Sequence, residues 1–156
     1  MNTTDSIFKD SSAADIEAIK QLKARYFRMM DTKQWDDFAM VFTEDAVMDM
    51  SGELERNGVD GAAGIVAGRE NIADFVKGAV DAAITAHHGH MPEINLTSDS
   101  AAEGIWAMYD YVNFGEDSAI GGLQGFGHYH ETYEKENDGQ WRIKTIKLVR
   151  LHVIGL

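Results

Sequence analysis

Cysteine is missing from all 156 residues, which excludes a disulfide framework, a thiolate metal site and a cysteine nucleophile. Positive charge is scarce as well: 14 Lys and Arg stand against 26 Asp and Glu, a formal net charge of -12. Such a balance repels phosphate backbones and anionic lipid, so neither a nucleic acid nor a membrane partner is expected. No apolar run approaches the roughly 20 residues that cross a bilayer. The opening MNTTDSIFKDSSAAD has neither a basic n-region nor an apolar h-region, so a soluble cytoplasmic protein is expected. The G-x-S-x-G elbow of serine hydrolases does not occur, and Gly58, Gly61, Gly64 and Gly68 lack the spacing of a phosphate-binding loop.

What is present suits one ordered domain. Hydrophobic residues make up 44% and charged residues 26%, close to the globular average. A chain of this length buries roughly two-thirds of its unfolded surface. Residues 1–11 read as a flexible arm, and 12–156 as a single domain. A helix is expected to begin near Ser12 and run to about Asp31, because Ile16, Ile19, Leu22, Tyr26, Phe27 and Met30 recur at helical spacing. TKQWDDFAMVF offers a second short helix that packs back on the first. AVMDM, 46–50, reads as a short strand. The next 18 residues, 51–68, hold five glycines without a period and read as a mobile loop or lid. RENIADFVKGAVDAAI is again helical, and extended segments follow near 86–97, 102–114, 124–136 and 140–153. Helices first and a strand meander last is an α+β order.

Several groups of residues carry possible chemistry. Alternation around Trp106 puts Trp106, Met108, Asp110, Val112 and Phe114 in one row, a single carboxylate among apolar neighbours. Such an acid needs a partner or a raised pKa, unless its end of the row faces solvent or it accepts backbone hydrogen bonds. In AHHGHMPEI, alternation separates His87 from His88 and His90. A histidine facing an apolar cavity with a carboxylate on its far nitrogen is a general-base arrangement, and pairing with Asp31 or Asp110 distinguishes it from an ordinary core or surface histidine. His128 and His130 share a strand face and, with a carboxylate, would suit a metal, but H-x-H alone is a weak signal and no metal or cofactor is assigned. Tyr26 and Asp31 lie about 140° apart around their helix, so both can border one wide cavity. Arg150 falls between Leu148 and His152 on one face of the last strand. Met50, Met108, Trp106, His128 and Arg150 are the expected lining of a pocket for a small apolar molecule.

IEAIKQLKARYFRMMDTKQWDDF, VFTEDAVMDM, GRENIADFV, AHHGHMPEI and DGQWRIKTIKLVR together resemble the SnoaL-like families of the NTF2-like superfamily, over roughly residues 12–153. The pattern is similar to the scytalone dehydratase and bile-acid 7α-dehydratase branch. The resemblance implies a cone in which N-terminal helices pack into a strongly curved, mixed but mostly antiparallel sheet. It implies a dyad of Asp31 and His87, a carbonyl-binding Tyr26, a second carboxylate at Asp110 and a pocket arginine at Arg150. Met50 stands where the bile-acid enzymes place a tyrosine. The activity implied is a cofactor-independent dehydratase acting on a cyclic hydroxy-carbonyl or steroid-like compound. An isomerase or cyclase using the same dyad, and a binding module without chemistry, are the other readings. The outer sheet face needs a cover, so a homo-oligomer is expected, a trimer ahead of a dimer.

Overall fold

The computed structural model describes residues 3–115, 118 and 121–156, with the side chains of 3–11 outside that description. Helix α1 spans Thr3–Asp31, α2 Trp35–Ala39, α3 Ser51–Arg56 and α4 Arg69–Val80. Strands β1 Phe42–Asp49, β2 Ile65–Ala67, β3 Ile84–Leu96, β4 Ala101–Asn113, β5 Gly122–Lys135 and β6 Trp141–Gly155 form one six-stranded sheet in the order β2-β1-β6-β5-β4-β3. Only the β1–β6 pairing is parallel among the described strands. This is the α+β cone that the resemblance implies, with the sheet left open.

The apolar stripe of α1 does what its spacing predicts: Ile19, Leu22, Tyr26, Phe27 and Met30 are all buried against the sheet. The helix itself begins before the expected Ser12, and the arm expected over 1–11 lies outside the residues described side chain by side chain. Gly89 on β3 permits the close approach of α1, since a Cβ there would come within 2.7 Å of the Phe27 ring. The end of α1 is fixed by Lys33 at φ 60, with the Gln34 N–H donating to the Met29 carbonyl at 2.8 Å. A left-handed residue closing a helix in this way satisfies its last carbonyls and aims the chain sharply.

Two expectations about elements need correction. β1 starts at Phe42 rather than near 46, because its first residues pair with Ile143 of β6. The glycine-containing segment is a folded flap and not an irregular loop: it contains α3, a 3-10 turn at Gly61–Gly64 and β2, which pairs with β1. Its base is tied where the Met50 N–H donates to the Gly64 carbonyl at 2.8 Å.

Alternation along β4 sends Ala102, Gly104, Trp106, Met108, Asp110 and Val112 inward. On β6 the pattern slips. Register shifts beside Tyr133 and beside Gly127 put Ile143 in the core and pair Val153 with the inward Gly125. Of Ile143, Val149, Leu151 and Val153, the apolar residues of this strand expected to coat the outer face opposite Arg150, only Val149 and Leu151 are exposed. The same shift separates His152 from Arg150, and its ring stacks on Phe126 outside.

Candidate functional site

Asp31 sits at the last turn of α1, where the sharp exit of the chain leaves its carboxylate facing the start of β3. It accepts from the Thr85 hydroxyl at 2.9 Å and from the His87 backbone N–H at 2.8 Å, and its Oδ1 lies 2.6 Å from His87 Nδ1. Burial pushes the Asp31 carboxyl up, but the His87 and Thr85 hydrogen bonds outweigh it and hold the group below its ordinary value. A carboxylate on Nδ1 makes that nitrogen the donor and leaves the Nε2 lone pair free. Nε2 faces inward, 3.8 Å from Asp110 Oδ2.

Asp110 is reached from β4 and almost fully buried, at 2% exposure. Arg150 of β6 clamps it with two parallel bonds, Nη1 to Oδ1 at 2.7 Å and Nη2 to Oδ2 at 2.6 Å. The third donor, Arg150 Nε, goes to Glu53 of the flap at 2.9 Å. Burial opposes the Arg150 charge, yet these two carboxylates raise its pKa further. Arg150 is therefore a strut for Asp110 and the flap, not the free anchor for a ligand that its position suggested.

The pair exists because Gly125 on β5 lies beneath it. A Cβ at 125 would stand 1.8 Å from Arg150 Nη1 and 2.3 Å from Asp110 Oδ1.

These groups open on a cavity of about 250 Å³. Its apolar wall includes Met30, Met48, Met50, Phe75, Val112 and Leu148, and its polar groups are Tyr26, Tyr129, His87, Asp110, Glu53, Asn57 and Arg150. Tyr26, His87, Asp110, Arg150 and Met50 are thus brought together around one space, whereas Asp31, expected to border it with Tyr26, stands behind His87 and lines the neighbouring hollow beside α1. Three expected lining residues are not among them. Met108 lies behind the ion pair, its sulfur 3.7 Å from Arg150 Nη1. Trp106 is packed deeper, donating to the Tyr133 hydroxyl at 2.8 Å and lining a separate hollow beside α1. His128 belongs to the outer row of β5, opposite Val149, because it alternates with the buried Tyr129.

The sequence reading also missed residues. Tyr129, Glu131 and Tyr133 alternate inward on β5, a signal that was legible but lay on the face opposite the histidine pair. Glu53 and Thr85 had no such signal, since each is defined by a partner far away in sequence.

The chain belongs to the SnoaL-like domain family, whose pattern matches residues 11–147. It is similar to the probable cyclase FGR4 of Gibberella zeae, 27% identical over 144 residues that cover 86% of this chain and 89% of that protein. Among solved structures it resembles a protein provisionally described as a scytalone dehydratase from Novosphingobium aromaticivorans, with a TM-score of 0.79, 18% identity, and coverage of 95% of this chain and 91% of that one. It also resembles the LinA-type3 hexachlorocyclohexane dehydrochlorinase of Novosphingobium barchaimii, with a TM-score of 0.78, 19% identity, and coverage of 95% and 94%. At these identities the solved structures establish the fold.

Proposed function

We propose that the chain is a cofactor-independent acid–base lyase that removes water from a small cyclic hydroxy-carbonyl compound. The observation that carries this reading is the histidine held by Asp31 through Nδ1, with Nε2 turned into an apolar cavity. His87 Nε2 takes the proton from the carbon next to the carbonyl, and Asp31 stabilises the imidazolium that forms. The electron pair moves onto the carbonyl oxygen as an enolate, which accepts a hydrogen bond from Tyr26. Collapse of the enolate expels the β-hydroxyl, which leaves as water with the proton returned from His87. Atoms balance as hydroxy-ketone to enone plus water. Proton transfer of this kind supplies about 10² to 10⁴ in rate, and orientation in a closed cavity contributes the rest.

The cavity, about 250 Å³, is smaller than the roughly 300–1,000 Å³ of sites for drug-sized ligands. That favours one- or two-ring substrates over the steroid-like end of the range. With Arg150 already paired to the carboxylates of Asp110 and Glu53, an uncharged substrate fits better than a carboxylate.

The test is a panel of cyclic β-hydroxy ketones in deuterated buffer, followed by proton NMR for loss of the α-proton and by absorbance for the enone. Wild-type protein should give both signals and His87→Gln neither. Equal rates for the two proteins across the panel would remove the basis of the reading. An isomerase or cyclase working through the same dyad is the second reading, favoured by the similarity to the probable cyclase of Gibberella zeae. Mass spectrometry separates the two, because isomerisation and cyclisation without elimination conserve the mass that dehydration lowers by one water.

A further inference from the structure

The mechanism above leaves a buried cation unused. Lys23 is fully buried, forms an ion pair with Glu131, and holds its ammonium 4.0 Å from the Tyr26 ring centroid and 3.8 Å from that of Tyr129. Glu131 in turn accepts from the Tyr133 hydroxyl. Tyr129, from β5, crosses Tyr26 edge to face at 6.0 Å between centroids, and both rings border the cavity that holds His87. The two hydroxyls neighbour each other. They hydrogen-bond each other, so one phenol proton is held within the pair and the other is left for a ligand.

We propose that Tyr26 and Tyr129 together form a two-phenol site for an enolate or phenolate oxygen, with Lys23 behind both rings as its counter-charge. The proposal rests on the acid–base reading of the cavity and deepens it by naming Tyr129 as the second phenol and Lys23 as a positioning residue. A phenol facing a developing negative charge must keep its proton. Burial pushes both hydroxyls well above the usual tyrosine value, so both remain donors throughout the working range. A cation against the ring faces is attracted by their π-density and draws it away from the hydroxyls, which strengthens them as donors. Glu131 keeps that cation in place: burial alone would favour the neutral amine, and the carboxylate opposes it, leaving the Lys23 pKa at about 8. A hydrogen-bonded phenol pair, one proton left for the ligand oxygen and the other polarising its neighbour, is fixed in advance where charge develops, as electrostatic catalysis needs.

4-Nitrophenol is the probe, a single ring whose ionised form is coloured and whose oxygen carries the charge an enolate would. Absorbance titration of the bound probe gives its pKa and the affinity for each form. Wild-type protein should bind nitrophenolate and lower the probe's pKa. Tyr129→Phe and Tyr26→Phe should each weaken binding of the anion about ten- to hundredfold, the worth of a hydrogen bond to a charged acceptor, with little effect on the neutral form. Lys23→Met alone leaves Glu131 buried without its partner and endangers folding, so the double variant Lys23→Met/Glu131→Gln is used. That variant should stay folded by circular dichroism and raise the bound probe's pKa, which loss of packing alone would not do. Failure of the wild type to bind nitrophenolate, or anion affinity unchanged in Tyr129→Phe, would overturn the proposal. The acid–base reading is judged separately: His87→Gln should abolish α-proton exchange yet still bind nitrophenolate.

Discussion

Gly125→Ala is the smallest change that should dismantle the site. The new methyl would lie 1.8 Å from Arg150 Nη1, whereas ordinary contact begins at 3.4 Å, so the guanidinium must retreat by about 1.6 Å or the strand must move. Strand movement is opposed on both sides, since Gly125 is paired with Asp110 on β4 and with Val153 on β6. A shift of that size breaks bonds now 2.7 and 2.6 Å long. The carboxylate left behind is 2% exposed, and its partner side chain 11%. Removing one partner from such a pair costs about 3–5 kcal/mol. For a domain of this size each kcal/mol lowers Tm by about 2–4 °C, so a loss of roughly 6–20 °C is expected. Misplacing Asp110 by about 1 Å should also lower turnover about 10²-fold. Thermal unfolding followed by circular dichroism measures the first effect. Gly78→Ala is the control, at a helical position where a Cβ meets nothing within 4 Å, and it should stabilise by about 0.5–1 kcal/mol. A Gly125→Ala protein melting within about 2 °C of wild type would mean that the ion pair is not the strut described here.

His87→Ala and Asp31→Asn should each lower turnover of a dehydrated substrate by at least about 10², and the double variant should be scarcely worse than the worse single one, because the two act as a unit. Losses that multiply in the double variant would show that they act separately. Asp31 has a folded pKa below its ordinary 3.8, so its stabilising contribution is complete above that value and is lost as pH falls through the folded one. The stability gap between wild type and Asp31→Asn should therefore be constant at neutral pH and shrink only below pH 3.8; a gap that shrinks between pH 7 and 5 would contradict this assignment. The outer sheet face carries Tyr109, Phe126, Val149 and Leu151, and we propose that it is covered by further copies of the chain, as a trimer ahead of a dimer. Sedimentation at micromolar concentration giving the monomer mass would refute that.

Local periodicity made much of the architecture legible, and the places where it stops working share a cause. The stripe Ile19, Leu22, Tyr26 and Met30 is one face of one helix, so its burial follows from spacing alone. The inward row of β4 is equally local, and it isolated Asp110 before any partner was known. Alternation fails where a bulge inserts a residue. It predicts His152 beside Arg150, but the extra residue Leu151 turns that histidine outward onto Phe126. The partners of the site are less legible still, because they are contacts between distant segments. Lys23 meets Glu131 across 108 positions, and Arg150 meets Glu53 across 97. Neither separation has a period. Glu53 looks like an ordinary charged residue in a glycine-containing stretch, whereas Lys23, four residues from both Ile19 and Phe27, falls inside the apolar stripe of α1, so its burial was legible in the spacing and only its partner was not. Strand order matters in the same way: β5 lies between β4 and β6, which sets Gly125 beneath the acid of one neighbour and the arginine of the other, with Tyr129 further along the same inward row. Once that strand order is known, a glycine beneath an ion pair and a phenol beside it become requirements of the site, and Gly125 and Tyr129 are the residues through which the arrangement is most directly tested.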